Sequence, residues 1–189
     1  MSRLTRFFSS QRTGTTKFTG DWDYRLSGLF ECGVEFGSKT VLDAGCHMGI
    51  VAYEISKQRP ALIHGVDHYG AAIKVAGHIF SAVPVPSAFY RANLISERSV
   101  NKVLLPRYDI VVFMSVWQHI RNRYGGEIGD RVAMGLAHRC SSVFLARVPH
   151  SLHDHFSEIM EGAGFQVMSR WISPTDSDKR HLVAYRRGR

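Results

Sequence analysis

Cysteine is scarce in this 189-residue chain: Cys32, Cys46 and Cys140 are odd in number and form no CxxC pair. That argues against a disulfide framework or a zinc ribbon and points to a reducing compartment. No apolar run approaches the ~20 residues that a membrane-spanning helix needs. No segment repeats, and no linker divides the chain. The N-terminal stretch "MSRLTRFFSSQRTGTTKFTG" lacks the apolar core of a secretory signal. Its Arg- and Ser-rich, acid-free composition suits a transit peptide or a short flexible arm equally. The apolar fraction, 44%, is ordinary for a soluble globular protein. The expectation is a cytoplasmic chain with one sizeable core: a basic arm over 1–20 and a single domain over 21–189.

Acids are missing from both ends. Residues 1–20 carry Arg3, Arg6, Arg12 and Lys17, and residues 179–189 carry Lys179, Arg180, Arg186, Arg187 and Arg189. The net charge is +8, so residues 21–178 are left at −1. Basic ends attract nucleic acid or anionic lipid. A groove that tracks a phosphate backbone would carry its excess charge within the body. Solvated tails are therefore the favoured reading.

What is present is an alternation of strands and helices. A leading helix is expected over 23–37. Strands are expected over 41–43, 61–67, 87–91, 108–115 and 142–148, with helices over 50–57, 71–80, 96–105, 127–140 and 151–164 between and after them. Ser96 and Ser151 are plausible N-caps, the latter with Asp154 as its capping-box partner. "YDIVVFMS" is the clearest strand, a continuous run of the kind buried on both faces. "FQVMSRWIS" and "HLVAYRR" follow with only the polar "PTDSDKR" between them, which reads as an antiparallel hairpin. The pattern predicts a doubly wound, Rossmann-like α/β fold. Its seven-stranded sheet is mostly parallel, closes on a C-terminal antiparallel hairpin and carries helices on both faces.

Ligands of such sheets bind beyond the carboxyl ends of the strands. The first strand ends in Asp43-Ala44-Gly45-Cys46-His47-Met48-Gly49. Gly45 permits a sharp turn and Gly49 a close helix. The dinucleotide fingerprint GxGxxG is absent, because His47 stands two places after Gly45. Asp43 would repel a pyrophosphate and suits a cationic ammonium. Asp67, ending the second strand, can accept both hydroxyls of a ribose. Asn93, after the third strand, carries an amide that can pair with an adenine edge. Ser115, Trp117 and His119 follow the fourth strand.

With these positions in view, the chain resembles the class I S-adenosylmethionine-dependent methyltransferases over roughly residues 40–187. "VLDAGCHMG" looks like the family's glycine motif, "GVD" its ribose acid, "ANL" its adenine contact, and "YDIVVFMSVWQHI" its fourth-strand segment. "EGAGFQV" looks like the family's entry to the sixth strand. His47 replaces the usual second Gly, and Asn93 the commoner Asp. The resemblance implies S-adenosyl-L-methionine as cofactor and S-adenosyl-L-homocysteine as product. Asp43, Gly45, Cys46, His47 and Gly49 would form the turn at the methionine end, with Cys46 as a small residue packed beneath the cofactor. Asp67 would hold the ribose, with His68 beside it. Asn93 and Leu94 would face the adenine, and Met114 and Ser115 would lie under the cofactor.

Methyl transfer asks the protein mainly for proximity and orientation, and for a base only where the acceptor must lose a proton. His119 is the candidate base. "MSVWQH" lacks the Asp/Asn-Pro-Pro-aromatic signature of amino-adenine enzymes, and the segment lacks the Pro-Cys nucleophile of cytosine-C5 enzymes. The acceptor is then expected to be O or N of a small molecule. The alternatives are an RNA methyltransferase using the basic ends, and a non-catalytic binding or scaffold protein on the same fold. Trp22, Tyr24 and Arg25 are candidates for a lid over the cofactor. His150, His153 and His155 surround Asp154; a solvated helix terminus is favoured over a metal site there, and no metal is expected. The acceptor and the oligomeric state are not legible.

Overall fold

A computed structural model describes residues 26–172 and 181–188. The expected arm over 1–20, the candidate lid at Trp22, Tyr24 and Arg25, and the hairpin linker over 174–180 lie outside the described residues.

Seven strands form one sheet: β1 (Thr40–Ala44), β2 (Leu62–Asp67), β3 (Ser87–Arg91), β4 (Tyr108–Met114), β5 (Cys140–Val148), β6 (Phe165–Ile172) and β7 (His181–Arg187). Their order is β3-β2-β1-β4-β5-β7-β6. The first five run parallel. β7 is antiparallel both to β5 and to β6. Six helices are described: α1 (Ile50–Ser56), α2 (Gly70–Phe80), α3 (Glu97–Asn101), α4 (Trp117–Tyr124), α5 (Gly126–His138) and α6 (His153–Gly162).

Alternation along each strand sends side chains to two cores. Val41, Ile63, Ile110, Val112 and Leu145 pack with α1, α2 and the segment Leu29–Phe36 on one face. Leu42, Val66, Val111, Phe113 and Phe144 pack with α3, α4, α5 and α6 on the other. Both faces being covered, β4 reads as the unbroken apolar run Ile110–Phe113, all of it buried. The chain winds one way from β1 to β2 and β3 and the other way to β4. The switch point, where ligands bind in such sheets, therefore lies at the carboxyl ends of β1 and β4.

Five sequence expectations need correction. The leading helix does not run to Gly37: residues 27–32 are turns, closed by Leu29 N–H to Leu26 C=O and Gly33 N–H to Phe30 C=O. Gly28 and Gly33 have φ of +84° and +70°, which a right-handed helix cannot contain. α4 was not foreseen as a helix. Ser151 does not cap α6: it lies in a 3-10 turn over His150–Leu152, and the cap position Leu152 makes no side-chain bond. Ser96 does cap α3, accepting from Ser99 N–H at 3.3 Å, but that helix ends at Asn101. Arg186 and Arg187 belong to no free tail, for both lie in β7. Arg187 donates to the carbonyls of Cys140, Ala137 and Ala163 and sits over the Phe165 ring at 4.4 Å.

Candidate functional site

The turn after β1 is clamped onto the second strand: the N–H groups of Gly45 and Cys46 both donate to Val66 C=O, at 2.8 and 3.1 Å. Gly45 has φ +82°, and a Cβ there would stand 2.4 Å from Val116 Cγ2. Conformation and space each require glycine at this position. Gly49, also left-handed, opens α1. Cys46 is buried with its Sγ against Gly65, and burial pushes its thiol up, with Asp43 and Asp67 adding to the effect. It is a packing residue beneath the turn, with no thiolate character.

His47 adopts φ +48°. That left-handed backbone costs a side-chain-bearing residue about 1–2 kcal/mol, although His enters the region more readily than most residues. Its ring lies along that of Tyr69, centroids 6.1 Å apart and planes 17° apart.

Asp43 is buried under the turn. Loss of solvent pushes its carboxyl up to about 7; the Ala52 N–H in the first turn of α1 opposes this, and Asp67 adds to it. Its Oδ2 has no hydrogen-bond partner among the described residues. A buried, underpartnered acid beside a glycine turn suits a cation bound above it. Asp67 is better satisfied. Its Oδ2 accepts from His47 N–H at 3.0 Å and its Oδ1 from Tyr69 N–H at 2.9 Å, with His68 Nδ1 at 3.3 Å. Oδ2 keeps a lone pair for a further donor, and on Oδ1 the second faces His68. Asn93 spends its Oδ1 on Ile95 N–H at 3.2 Å, as in an Asx turn. The NH2 donors and the second lone pair of Oδ1 are left for a ligand.

A cavity of about 290 Å³ opens at this edge of the sheet. Gly45, Asp67, His68, Asn93 and Leu94, from the ends of three strands, share its wall with His119 of α4. Its size suits a small organic ligand. Asp43, Cys46, His47, Gly49, Met114 and Ser115 are not among its lining residues. Ser115 instead turns the chain out of β4 with φ +59°, its N–H held by Arg147 C=O at 3.1 Å.

Sequence reasoning missed Val116, Ile120, Arg123 and Tyr124, which line the same cavity. Val116, His119, Ile120 and Arg123 recur at i, i+3, i+4 and i+7, one helix face. Recognising α4 would have found them. The helix is held by Trp117, fully buried, whose Nε1–H donates to Asp130 Oδ1 at 3.2 Å. Arg121 pairs with the same carboxylate and lies over the Trp117 ring at 4.7 Å.

The histidine group divides: His155 turns away, while His150 and His153 both meet the His181 ring, with centroids 4.7 and 5.4 Å away. His155 bonds Asp130 Oδ2 at 2.7 Å, His150 Nδ1 meets His181 Nε2 at 3.1 Å, and His153 Nδ1 meets Asp154 Oδ1 at 3.1 Å. Among the described residues no group of three His, Cys, Asp or Glu side chains is arranged to hold a metal ion.

No family profile matches the sequence, and no curated relative does. Solved structures do match. Magnesium protoporphyrin IX methyltransferase (ChlM) from Synechocystis, crystallised with bound SAM, superimposes with a TM-score of 0.69 at 18% identity, covering 88% of this chain and 77% of that one. A TehB-like SAM-dependent methyltransferase from Corynebacterium glutamicum gives 0.61 at 17%, over 81% and 82%. The N-methyltransferase NodS from Bradyrhizobium japonicum gives 0.68 at 11%, over 88% and 96%. The fold of this chain is that of the class I S-adenosylmethionine-dependent methyltransferases.

Proposed function

We propose that the protein is an S-adenosylmethionine-dependent methyltransferase acting on O or N of a small molecule. The observation that carries this reading is the shared cavity: a glycine turn, a ribose-type acid and an adenine-type amide, chosen from sequence alone, meet in one wall with His119. The structural neighbours crystallised with SAM and with SAH bear on the cofactor. The neighbours whose names specify porphyrin methylation and N-methylation bear on the acceptor class.

When bound, the cofactor supplies a methyl group on a sulfonium, already a good leaving group. The chain's own residues would then bind and orient. Asp67 accepts from the ribose hydroxyls through its remaining lone pairs. The Asn93 amide would donate to a ring nitrogen of the adenine, and Leu94, Ile95 and Ile120, which line the same cavity, would offer it apolar contact. Asp43, under the turn, offsets the ammonium charge of the amino-acid end. His119 takes the proton of an acceptor that must lose one.

Two measurements test this. The melting temperature should rise with S-adenosylmethionine and stay level with NAD, because a ligand of the folded state stabilises it by mass action. With an acceptor in hand, His119→Ala should lower kcat by about 10²-fold or more, the contribution of a positioned base. Unchanged turnover removes His119 from the chemistry.

A further inference from the structure

The two residues whose backbones hold Asp67 are the same two whose rings stack. His47, in the turn after β1, and Tyr69, just past β2, donate their N–H groups to opposite oxygens of the carboxylate, at 3.0 and 2.9 Å. Their side chains then meet with centroids 6.1 Å and planes 17° apart. Both rings are exposed, Tyr69 by 55%, so no core requires the contact. Offset stacking at this separation is nonetheless attractive.

His47 also stands in a left-handed backbone, φ +48°, where glycine would be relaxed. Strain of this kind persists where surrounding structure over-determines it, and it gathers at ligand sites. The peptide N–H at 47 reaches Asp67 whatever side chain follows it. What the imidazole adds is the stack, which ties the turn after β1 to the segment after β2.

We propose that His47 and Tyr69 form a clasp that positions Asp67 for the ribose hydroxyls of the cofactor, with His47 in place of glycine for that purpose. Both are positioning residues: they act through the Asp67 carboxylate. With both N–H donors fixed, the lone pairs left on Asp67 keep one direction. Without the stack, the turn stays clamped to Val66 while the segment at 69 can swing, and with it the Tyr69 N–H that aims one oxygen of the carboxylate. The proposal rests on the cofactor assignment above.

The test measures S-adenosylhomocysteine binding by calorimetry, beside the melting temperature without ligand, for wild type, His47→Gly, His47→Phe, Tyr69→Ala and the double variant His47→Gly/Tyr69→Ala. Loss of the stack should weaken binding about three- to tenfold in either disrupting single variant, the range of an aromatic pair. The double variant should lose no more than one single variant, because both remove the same contact. His47→Phe, which keeps a flat ring, should bind like wild type. His47→Gly should melt no lower than wild type, since it relieves the left-handed strain, so affinity falls while stability holds. A 2′,3′-dideoxyribose analogue of the ligand should bind the single variants and wild type alike. If His47→Gly or Tyr69→Ala binds S-adenosylhomocysteine as wild type does, if the losses add in the double variant, or if the analogue loses as much as the parent, the clasp is overturned. If wild type binds no S-adenosylhomocysteine, the cofactor assignment fails instead.

Discussion

Asp43 and Gly45 show how one turn concentrates chemistry. Asp43 holds its proton to about pH 7 in the folded protein, against an ordinary 3.8. The folded state therefore binds more protons than the unfolded chain between those two values. Stability from this group is present below pH 4 and is lost as pH rises toward 7. At about 1.4 kcal/mol per pH unit of displacement, the window spans a few kcal/mol. Asp43→Asn, which carries no charge to bury, should melt higher than wild type at pH 8 and close to it only at about pH 4. The same substitution should weaken binding of S-adenosylmethionine, whose ammonium would no longer meet a negative charge. Melting curves at the two pH values, with and without ligand, check both signs. Gly45→Ala should act by contact: the new Cβ falls 2.4 Å from Val116 Cγ2 at a φ of +82°. We expect a loss of about 1–3 kcal/mol and of ligand binding. Gly45→Ala/Val116→Ala should recover part of the stability, as chemical denaturation would show.

At the scale of elements, legibility followed the strength of the pattern. β4 was plain because burial on both faces demands an unbroken apolar run, and β7 matched its sequence span because the hairpin flanks are so unlike their polar linker. α4 was not plain. Trp117, Gln118 and Ile120 are buried, but most of the rest of "WQHIRNRY" is polar, and its stability comes from neighbours the local pattern does not reveal. Asp130 of α5 supplies them: it holds Trp117, Arg121 and His155 at once. Partial burial works against its charge, but the hydrogen bonds from Arg121 and His155 prevail and keep the carboxyl below the usual range. Asp130→Ala should cost about 1–2 kcal/mol after allowance for exposure. It should also weaken ligand binding, because α4 carries His119, Ile120 and Arg123 into the cavity. Calorimetry on the variant, paired with its melting curve, measures both. The leading helix was misread for the opposite reason: Leu26, Leu29 and Phe30 kept a helical spacing, while Gly28 and Gly33 took left-handed turns.

Over the whole molecule, the sheet order places the ends of β1, β2 and β4 around one crevice, and that topology made the candidate site partly legible. Gly45, Asp67, Asn93 and His119 follow from the rule that ligands lie beyond the carboxyl ends of parallel strands. The far wall, Arg123 and Tyr124, depends on a helix–helix packing that no local motif encodes. Arg187 is a structural cation that closes α5, α6 and β5 through three carbonyls, so Arg187→Ala should unfold more readily in denaturant, by about 2–3 kcal/mol. If the cavity takes S-adenosylmethionine, Asp67 is the group that holds its ribose. Isothermal titration of S-adenosylhomocysteine into wild type and Asp67→Ala tests it most directly. A ribose-holding Asp67 predicts saturable one-to-one binding to wild type, weakened at least tenfold in Asp67→Ala while the variant stays folded. Absence of binding to wild type, or equal binding to both, would contradict it.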